Sequence, residues 1–263
     1  MNRLEAAITA VRAGGAEILS HNPDTARVMM KSGESDVVTS ADLASDAAVT
    51  KVLSESLPGD VVVSEESDAQ TRKQLYESDF TGWVIDPLDG TNAFRDRMNY
   101  SGVSVGYIEN GEPVVGAVYD PYRDELVAAE RGRGARLNDR VMKVGQRLTF
   151  DKSTRVAFSN TYRDGGTRES IERHLRLPVV PWTICLGSSV LIARDIVAGR
   201  IDLYHHNGLS PWDNAAMFLI ILEAGGKITG VNGEPVTWTT DSLVMGNTAL
   251  VDEFVKLTAP VAV

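Results

Sequence analysis

The stretch Asp86-Pro87-Leu88-Asp89-Gly90-Thr91, directly after the apolar run Trp83-Val84-Ile85, decides how the rest of this chain reads. It holds two carboxylates three residues apart, a rigid proline between them, and a glycine just before a hydroxyl. Read alone, the hexapeptide suits a surface turn, because Asp-Gly is a frequent turn pair. It also suits a hard-cation site, with Asp86 and Asp89 as oxygen ligands and the Leu88 carbonyl as another. Gly90 lets backbone N–H groups come close to a phosphate, as in anion-binding nests.

Working outward, Val61-Val62-Val63 is a second short β-branched run, and it ends in Ser64-Glu65-Glu66-Ser67. Charged residues at a strand end are usually just solvated. If this strand lies beside Trp83–Ile85, however, Glu65 and Asp86 share an edge, and so many carboxylates together are costly unless cations neutralise them. Ser210-Pro211-Trp212-Asp213 opens a helix that is apolar nearly all round from Ala215 to Leu222. A capping box accounts for Ser210 and Asp213, with Pro211 suited to the first turn, and Thr39-Ser40-Ala41-Asp42 has the same form. Asp213 at a buried helix start is equally placed to complete a metal site.

The remaining pattern predicts α/β layers throughout. Leu4, Ile8, Val11, Gly15, Ile18 and Leu19 recur at helical spacing up to Asn22-Pro23, and Thr39–Ser56 reads as a second helix. Gly102–Ala129 alternates like an antiparallel meander. Beyond Phe150, strand-like 155–158, 182–186, 201–204 and 242–245 are interspersed with helix-like 169–175, 188–198 and 211–224. The expectation is one unit over 1–263 with approximate halves 1–150, bearing most candidate ligands, and 151–263, bearing Asp213 and the substrate residues.

Composition limits the function. Hydrophobic residues make up 43% of the 263 and charged ones 24%, enough for a core without disulfides. A single cysteine, Cys185, excludes an internal disulfide and any multi-cysteine metal site and fits a reducing compartment, so the expected location is cytoplasmic. The formal charge of −10 disfavours nucleic-acid polymers and anionic membranes as partners. The apolar run Phe218–Leu222 is far short of the roughly 20 residues a bilayer requires.

Taken together, Ser64–Ser67, Asp86–Thr91, and Pro211–Asp213 followed by Glu223-Ala224-Gly225-Gly226 resemble the inositol monophosphatase family of magnesium-dependent, lithium-sensitive phosphatases, in order and in spacing. Thr39–Asp42 stands where that family keeps its first acidic residue. The resemblance implies an αβαβα sugar-phosphatase sandwich. It further implies that Glu65, Asp86 and the Leu88 carbonyl hold one Mg²⁺, that Asp86, Asp89 and Asp213 hold a second, and that a third ion can join them. In the same reading Asp42 and Thr91, supported by Glu66, orient and deprotonate a water, while amides of Gly90 and Thr91 hold the phosphate. Asn92 falls in the wall beside the phosphate, and Gly187, Ser188, Ser189 and His206 fall where the family contacts the organic part of its substrate, although a helix cap accounts equally well for Gly187-Ser188-Ser189. The implied partners are a small-molecule phosphate ester and a second copy in a homodimer.

Substrate positions differ from the inositol phosphatases. Those continue Asp-Gly-Thr with Thr-Asn-Phe, against Asn92-Ala93-Phe94 here, and keep a glutamate seven residues before the last aspartate, where this chain has His206. The stretch Asp202–Asp213 resembles the Gly-Leu-x-Pro segment of histidinol-phosphate phosphatases. Fructose bisphosphate and a 3′-phosphoadenosine compound are further candidate substrates. Two rivals stand beside this reading. Gly102-Val103-Ser104-Val105-Gly106 fits a nucleophile elbow, with Asp202 and His205 in serine-hydrolase order, but alternation runs straight through it where a sharp turn is required. A member that binds metal without turnover is the other.

Overall fold

The computed structural model describes residues 1–33, 36–158, 166–179 and 181–259. In chain order, α1 (Arg3–Ser20) leads through the hairpin β1 (Val28–Gly33) and β2 (Asp36–Thr39) into α2 (Ser40–Ser56). Next come β3 (Val62–Ser64), the short α3 (Ala69–Lys73), β4 (Gly82–Asp89) and α4 (Thr91–Arg95). A meander follows, made of β5 (Gly102–Glu109), β6 (Glu112–Asp120), β7 (Glu125–Glu130), β8 (Ala135–Leu137) and β9 (Arg140–Met142). The rest alternates: β10 (Arg155–Phe158), α5 (Gly166–Leu175), β11 (Trp182–Ile184), α6 (Ser189–Val197), β12 (Leu203–Asn207) and α7 (Pro211–Glu223). The last elements are β13 (Lys227–Gly230), β14 (Ser242–Gly246) and α8 (Thr248–Thr258).

β3 to β9 form one seven-stranded sheet in sequence order, antiparallel except for the parallel β3–β4 pair. The other sheet is mixed, in the order β11-β10-β12-β14-β13. α1 and α2 cover the outer face of the first sheet, α6 and α7 lie between the sheets, and α5 and α8 cover the second. This is the five-layer αβαβα sandwich.

Packing explains the layers. α1 is rich in small residues because α2 and the sheet press on it: a Cβ on Gly14 would stand 2.6 Å from the Ser45 hydroxyl and 2.7 Å from Val49. α7 is apolar nearly all round because both of its sides meet a sheet, and Ala215, Ala216, Met217, Ile220 and Ile221 are fully buried. It comes close to the first sheet over the paired glycines Gly106 and Gly116, where a Cβ would meet Ala215 at 2.8 Å and the Ala216 carbonyl at 2.7 Å. α6 is anchored by the fully buried Arg194, whose guanidinium lies 2.6 Å from Asp120 and 2.8 Å from Glu125. Removing Arg194 would leave buried Asp120 with the longer Arg123 contact, at 3.4 Å, and the amides of Tyr122 and Arg123.

Most predicted segments are found, with adjusted ends. The strand expected at 201–204 begins at Leu203 and runs to Asn207, because the Ile201 amide still donates to the Asp195 carbonyl at 3.2 Å and closes the end of α6. The hairpins β1–β2 and β8–β9, with α3, α4, β13 and α8, were not anticipated. Most are too short for periodicity to register. Ser104 lies in mid-strand, fully buried, in register with Asp86, so no elbow exists there. Its supposed partners are elsewhere: Asp202 is bound to Arg155, and His205 sits among Phe158, His174 and Phe254.

Candidate active site

Of the two readings of Asp86–Thr91, the surface turn does not hold, because the stretch through Asp89 is strand. β4 continues through Asp89, and its pairing with β5 shifts between Asp86 (opposite Ser104) and Asp89 (opposite Gly102), so three steps on one strand match two on the other. In a regular strand, residues three apart point to opposite faces. The extra residue, a bulge at Pro87-Leu88 where proline is tolerated, lets both carboxylates reach one place. The Ser45 hydroxyl satisfies the Pro87 carbonyl at 2.6 Å, and the Leu88 amide donates to Asp86 at 3.1 Å.

Asp213 arrives from α7, and carboxylate oxygens of Asp86, Asp89 and Asp213 all lie within 4.8 Å of one another. Each is held by donors. Asp89 accepts from the Ser188 hydroxyl at 2.6 Å and the Val190 amide at 2.8 Å, at the start of α6. Asp213 accepts from the Ser210 amide at 2.7 Å, so the capping box and the acidic cluster are one feature. Burial pushes the Asp89 carboxyl up to about 6 against the Ser188 and Val190 hydrogen bonds. Asp213 is raised well above the carboxylate range by burial, then by repulsion from Asp89 and Glu65. Crowded oxygens that resist ionising together are a donor set a divalent cation fits.

Beside the trio, the Thr91 hydroxyl donates to Asp42 at 2.9 Å and lies 3.2 Å from the Leu88 carbonyl. Asp42, 1% exposed, also accepts from the Thr39 amide at 2.8 Å and the Thr39 hydroxyl at 2.5 Å. Here too a capping box carries a site residue. Gly90, at φ +92°, turns the chain into α4, and a Cβ there would meet the Tyr100 carbonyl at 2.9 Å and the Gly187 carbonyl at 3.0 Å.

Glu65 extends the parallel β3–β4 pairing, its amide donating to the Ile85 carbonyl at 3.0 Å, so it ends at the same edge as Asp86, as the sequence suggested. It stands outside the close trio and acts on Asp213 by charge. The Glu66 amide donates to Ser64 at 3.2 Å in the adjoining turn. Asn92 is in α4, and Gly187 packs on Ala93, where a Cβ would come within 2.9 Å. The Ser189 hydroxyl meets the Tyr204 hydroxyl at 3.0 Å. Buried His206 is on the same strand face as Tyr204, ring centres 5.9 Å apart, while buried His205 faces α5 and α8. Sequence reasoning missed the Val190 amide, which belongs to no motif, and did not foresee that the Ser188 hydroxyl is on Asp89.

A layered αβαβα sandwich gathers three aspartates where strand ends meet helix starts, a donor set that fits a divalent cation. The sequence model of the inositol monophosphatase family matches residues 2–259. The chain belongs to that family, and it is a phosphoric monoester hydrolase. It is 32% identical over 254 residues to the inositol-1-monophosphatase of Synechocystis sp., covering 93% of this chain and 84% of that one. It is 34% identical over 262 residues to a protein of Pasteurella multocida named Nus factor SuhB, covering 98% and 96%. The solved IMPase of Thermotoga maritima superposes with a TM-score of 0.86 at 27% identity, covering 98% of this chain and 97% of that one. Among the described residues no helix is long and apolar enough to cross a membrane.

Proposed function

We propose that this chain, acting as one unit across 1–263, hydrolyses the phosphate monoester of a small polyol, sugar or amino alcohol. The observation that carries the reading is the acidic trio with the Thr91–Asp42 hydrogen bond beside it. Glu65, Asp86 and the Leu88 carbonyl would hold one Mg²⁺, and Asp86, Asp89 and Asp213 a second. Mg²⁺ bound there supplies positive charge to the phosphoryl oxygens and makes a water more acidic. Thr91, held by Asp42, orients the attacking water and passes its proton toward that carboxylate, with Glu66 in support. Amides of Gly90 and Thr91 hold the phosphate, and Asn92, Gly187, Ser188, Ser189 and His206 border the organic part. A third ion, lithium inhibition, a homodimer and a cytoplasmic location belong to the same reading. A nucleic-acid polymer does not, since a charge of −10 repels a phosphate backbone.

The test is phosphate release from inositol-1-phosphate, histidinol phosphate, fructose bisphosphate and a 3′-phosphoadenosine compound, with Mg²⁺, with EDTA, and with Mg²⁺ plus Li⁺. The expected result is Mg²⁺-dependent release that EDTA abolishes. Release that survives EDTA overturns the metal reading. His206→Glu should shift preference toward inositol-1-phosphate, and an unchanged preference removes His206 from the pocket.

A further inference from the structure

The proposed metal reading needs Glu65, one residue beyond β3, and Asp213, in the first turn of α7, to lie close although their charges repel. One cation touches both segments. Arg72 is the fourth residue of α3, and its Nη1 donates to the Glu65 carbonyl oxygen at 3.0 Å. The same guanidinium lies over the ring of Trp212, 5.4 Å from its centroid, and Trp212 is the residue before Asp213.

The local chain explains why Arg72 is there. The Ser67 amide donates to the Ser64 carbonyl at 3.0 Å, turning the chain after β3. Asp68 then caps α3, accepting from the amides of Gln70 at 2.8 Å and Thr71 at 3.0 Å, which brings position 72 back over residue 65. Three residues on, Leu75 is 1% exposed in the small apolar cluster against which Trp212 packs. Both ends of the Arg72 contact are thus fixed by the fold. A planar guanidinium can hydrogen-bond along its edge while its face rests on an indole, which a lysine ammonium cannot do as well.

We propose that Arg72 is a positioning residue that clamps the Glu65 turn to the first turn of α7 and so presets the spacing between Glu65 and Asp213 before a divalent cation binds. This rests on the metal reading of the site. Without Arg72 the two segments drift apart under their own repulsion, and the cation must draw them together at the expense of its affinity.

The test uses the full-length protein stripped of metal, with Mn²⁺ as the probe, titrated calorimetrically without substrate. Arg72→Met keeps the aliphatic stem on Trp212 and removes the guanidinium, while Arg72→Lys keeps a cation and a donor. Arg72→Met is expected to weaken Mn²⁺ binding about tenfold, with Arg72→Lys recovering part of the loss. The metal-free Tm should stay within about 3 °C of wild type, since one half-exposed contact is involved. In turnover the Mg²⁺ needed for half-maximal phosphate release should rise about tenfold, with kcat at saturating Mg²⁺ within about threefold. Should Arg72→Met fail to fold, Arg72→Gln takes its place with the same expectation. Equal Mn²⁺ affinity in wild type and variant overturns the proposal. So does a parallel fall of affinity and Tm that lysine does not rescue, which marks a merely structural contact. A wild-type chain that binds no Mn²⁺ overturns the metal reading and this inference with it.

Discussion

The Ser188 hydroxyl donates to the Asp89 carboxylate at 2.6 Å across 99 positions of sequence, and the Val190 amide reaches the same oxygen at 2.8 Å. The start of α6 therefore does two jobs. Ser188 caps the helix, accepting from the Leu191 amide at 3.2 Å, and it fixes the direction of a candidate ligand. The positive end of the helix dipole also favours the charged form of Asp89, opposing the effect of burial. Arg194, one turn along the same helix, holds this arrangement in place through Asp120 and Glu125.

Ser188→Ala tests this double role. Loss of the cap should cost about 1 kcal/mol of stability. Loss of the donor leaves Asp89 freer to rotate and harder to ionise, and Mn²⁺ affinity should fall about tenfold. Unfolding in urea and Mn²⁺ titration read the two effects separately. An unchanged affinity would show that the Val190 amide alone suffices to orient Asp89.

Asp213→Asn should abolish nearly all turnover and yet stabilise the metal-free protein. The folded-state carboxyl is raised well above its ordinary value, by burial and then by Asp89 and Glu65, so the ionised form opposes folding at neutral pH. Asparagine keeps an acceptor for the Ser210 amide without the charge. Calorimetry should show a higher metal-free Tm, by about 2–4 °C for each kcal/mol of repulsion removed. Mg²⁺ should raise Tm in wild type but much less in the variant. A lower metal-free Tm would contradict the repulsion argument.

Thr91→Val replaces the hydroxyl with a methyl group of similar size and breaks the hydrogen bonds to Asp42 and the Leu88 carbonyl. The proposed proton path then lacks its first member. A fall in kcat of about 10²–10⁴ is expected, with Mn²⁺ affinity nearly unchanged. A kcat within about threefold of wild type would remove Thr91 from the chemistry.

Acid sensitivity should track His205. It is 1% exposed, neither ring nitrogen finds a hydrogen-bond partner among the described residues, and its ring lies 4.8 Å from Phe254 and 6.0 Å from His174. Burial, then the neighbouring His174, His206 and Arg173, push its pKa well below the ordinary 6.5, and burial lowers His174 too. The unfolded chain takes up protons near 6.5 while the folded one refuses them, so stability is full above that pH and falls as pH drops below it. Each such histidine contributes a loss of up to about 1.4 kcal/mol per pH unit. Urea unfolding between pH 7 and 5 should therefore show a shallower decline in His205→Leu than in wild type. Parallel curves would mean that His205 is protonated in the folded state as well.

Much of the site was legible because its chemistry is local. Paired acids after apolar runs, and Ser/Thr-x-x-Asp starts before helices, mark Glu65, Asp86, Asp89, Asp42 and Asp213 without any knowledge of contacts. The apolar run Ala215–Leu222 marked a buried helix, and its place between the two sheets came from the packing. Other features were out of reach for stated reasons. The β4 bulge depends on how Gly102–Ser104 pairs with it, a partner's property that periodicity in 82–89 does not record. Ser188 looked like a substrate donor or a cap, and only its approach to Asp89 shows that it serves the carboxylate. Arg72 belongs to no motif at all, since its meaning comes from what it touches.

The sequence by itself determined the aspartates of the acidic trio, the helix caps beside them and the layered α/β pattern, because these follow from residue type and short-range spacing. The tertiary structure alone decided that two aspartates three residues apart face the same way, and that Asp213 meets them from the far half of the chain. The direction of a strand side chain depends on the register with its neighbour, and distant segments meet only through the packing of both sheets on α7.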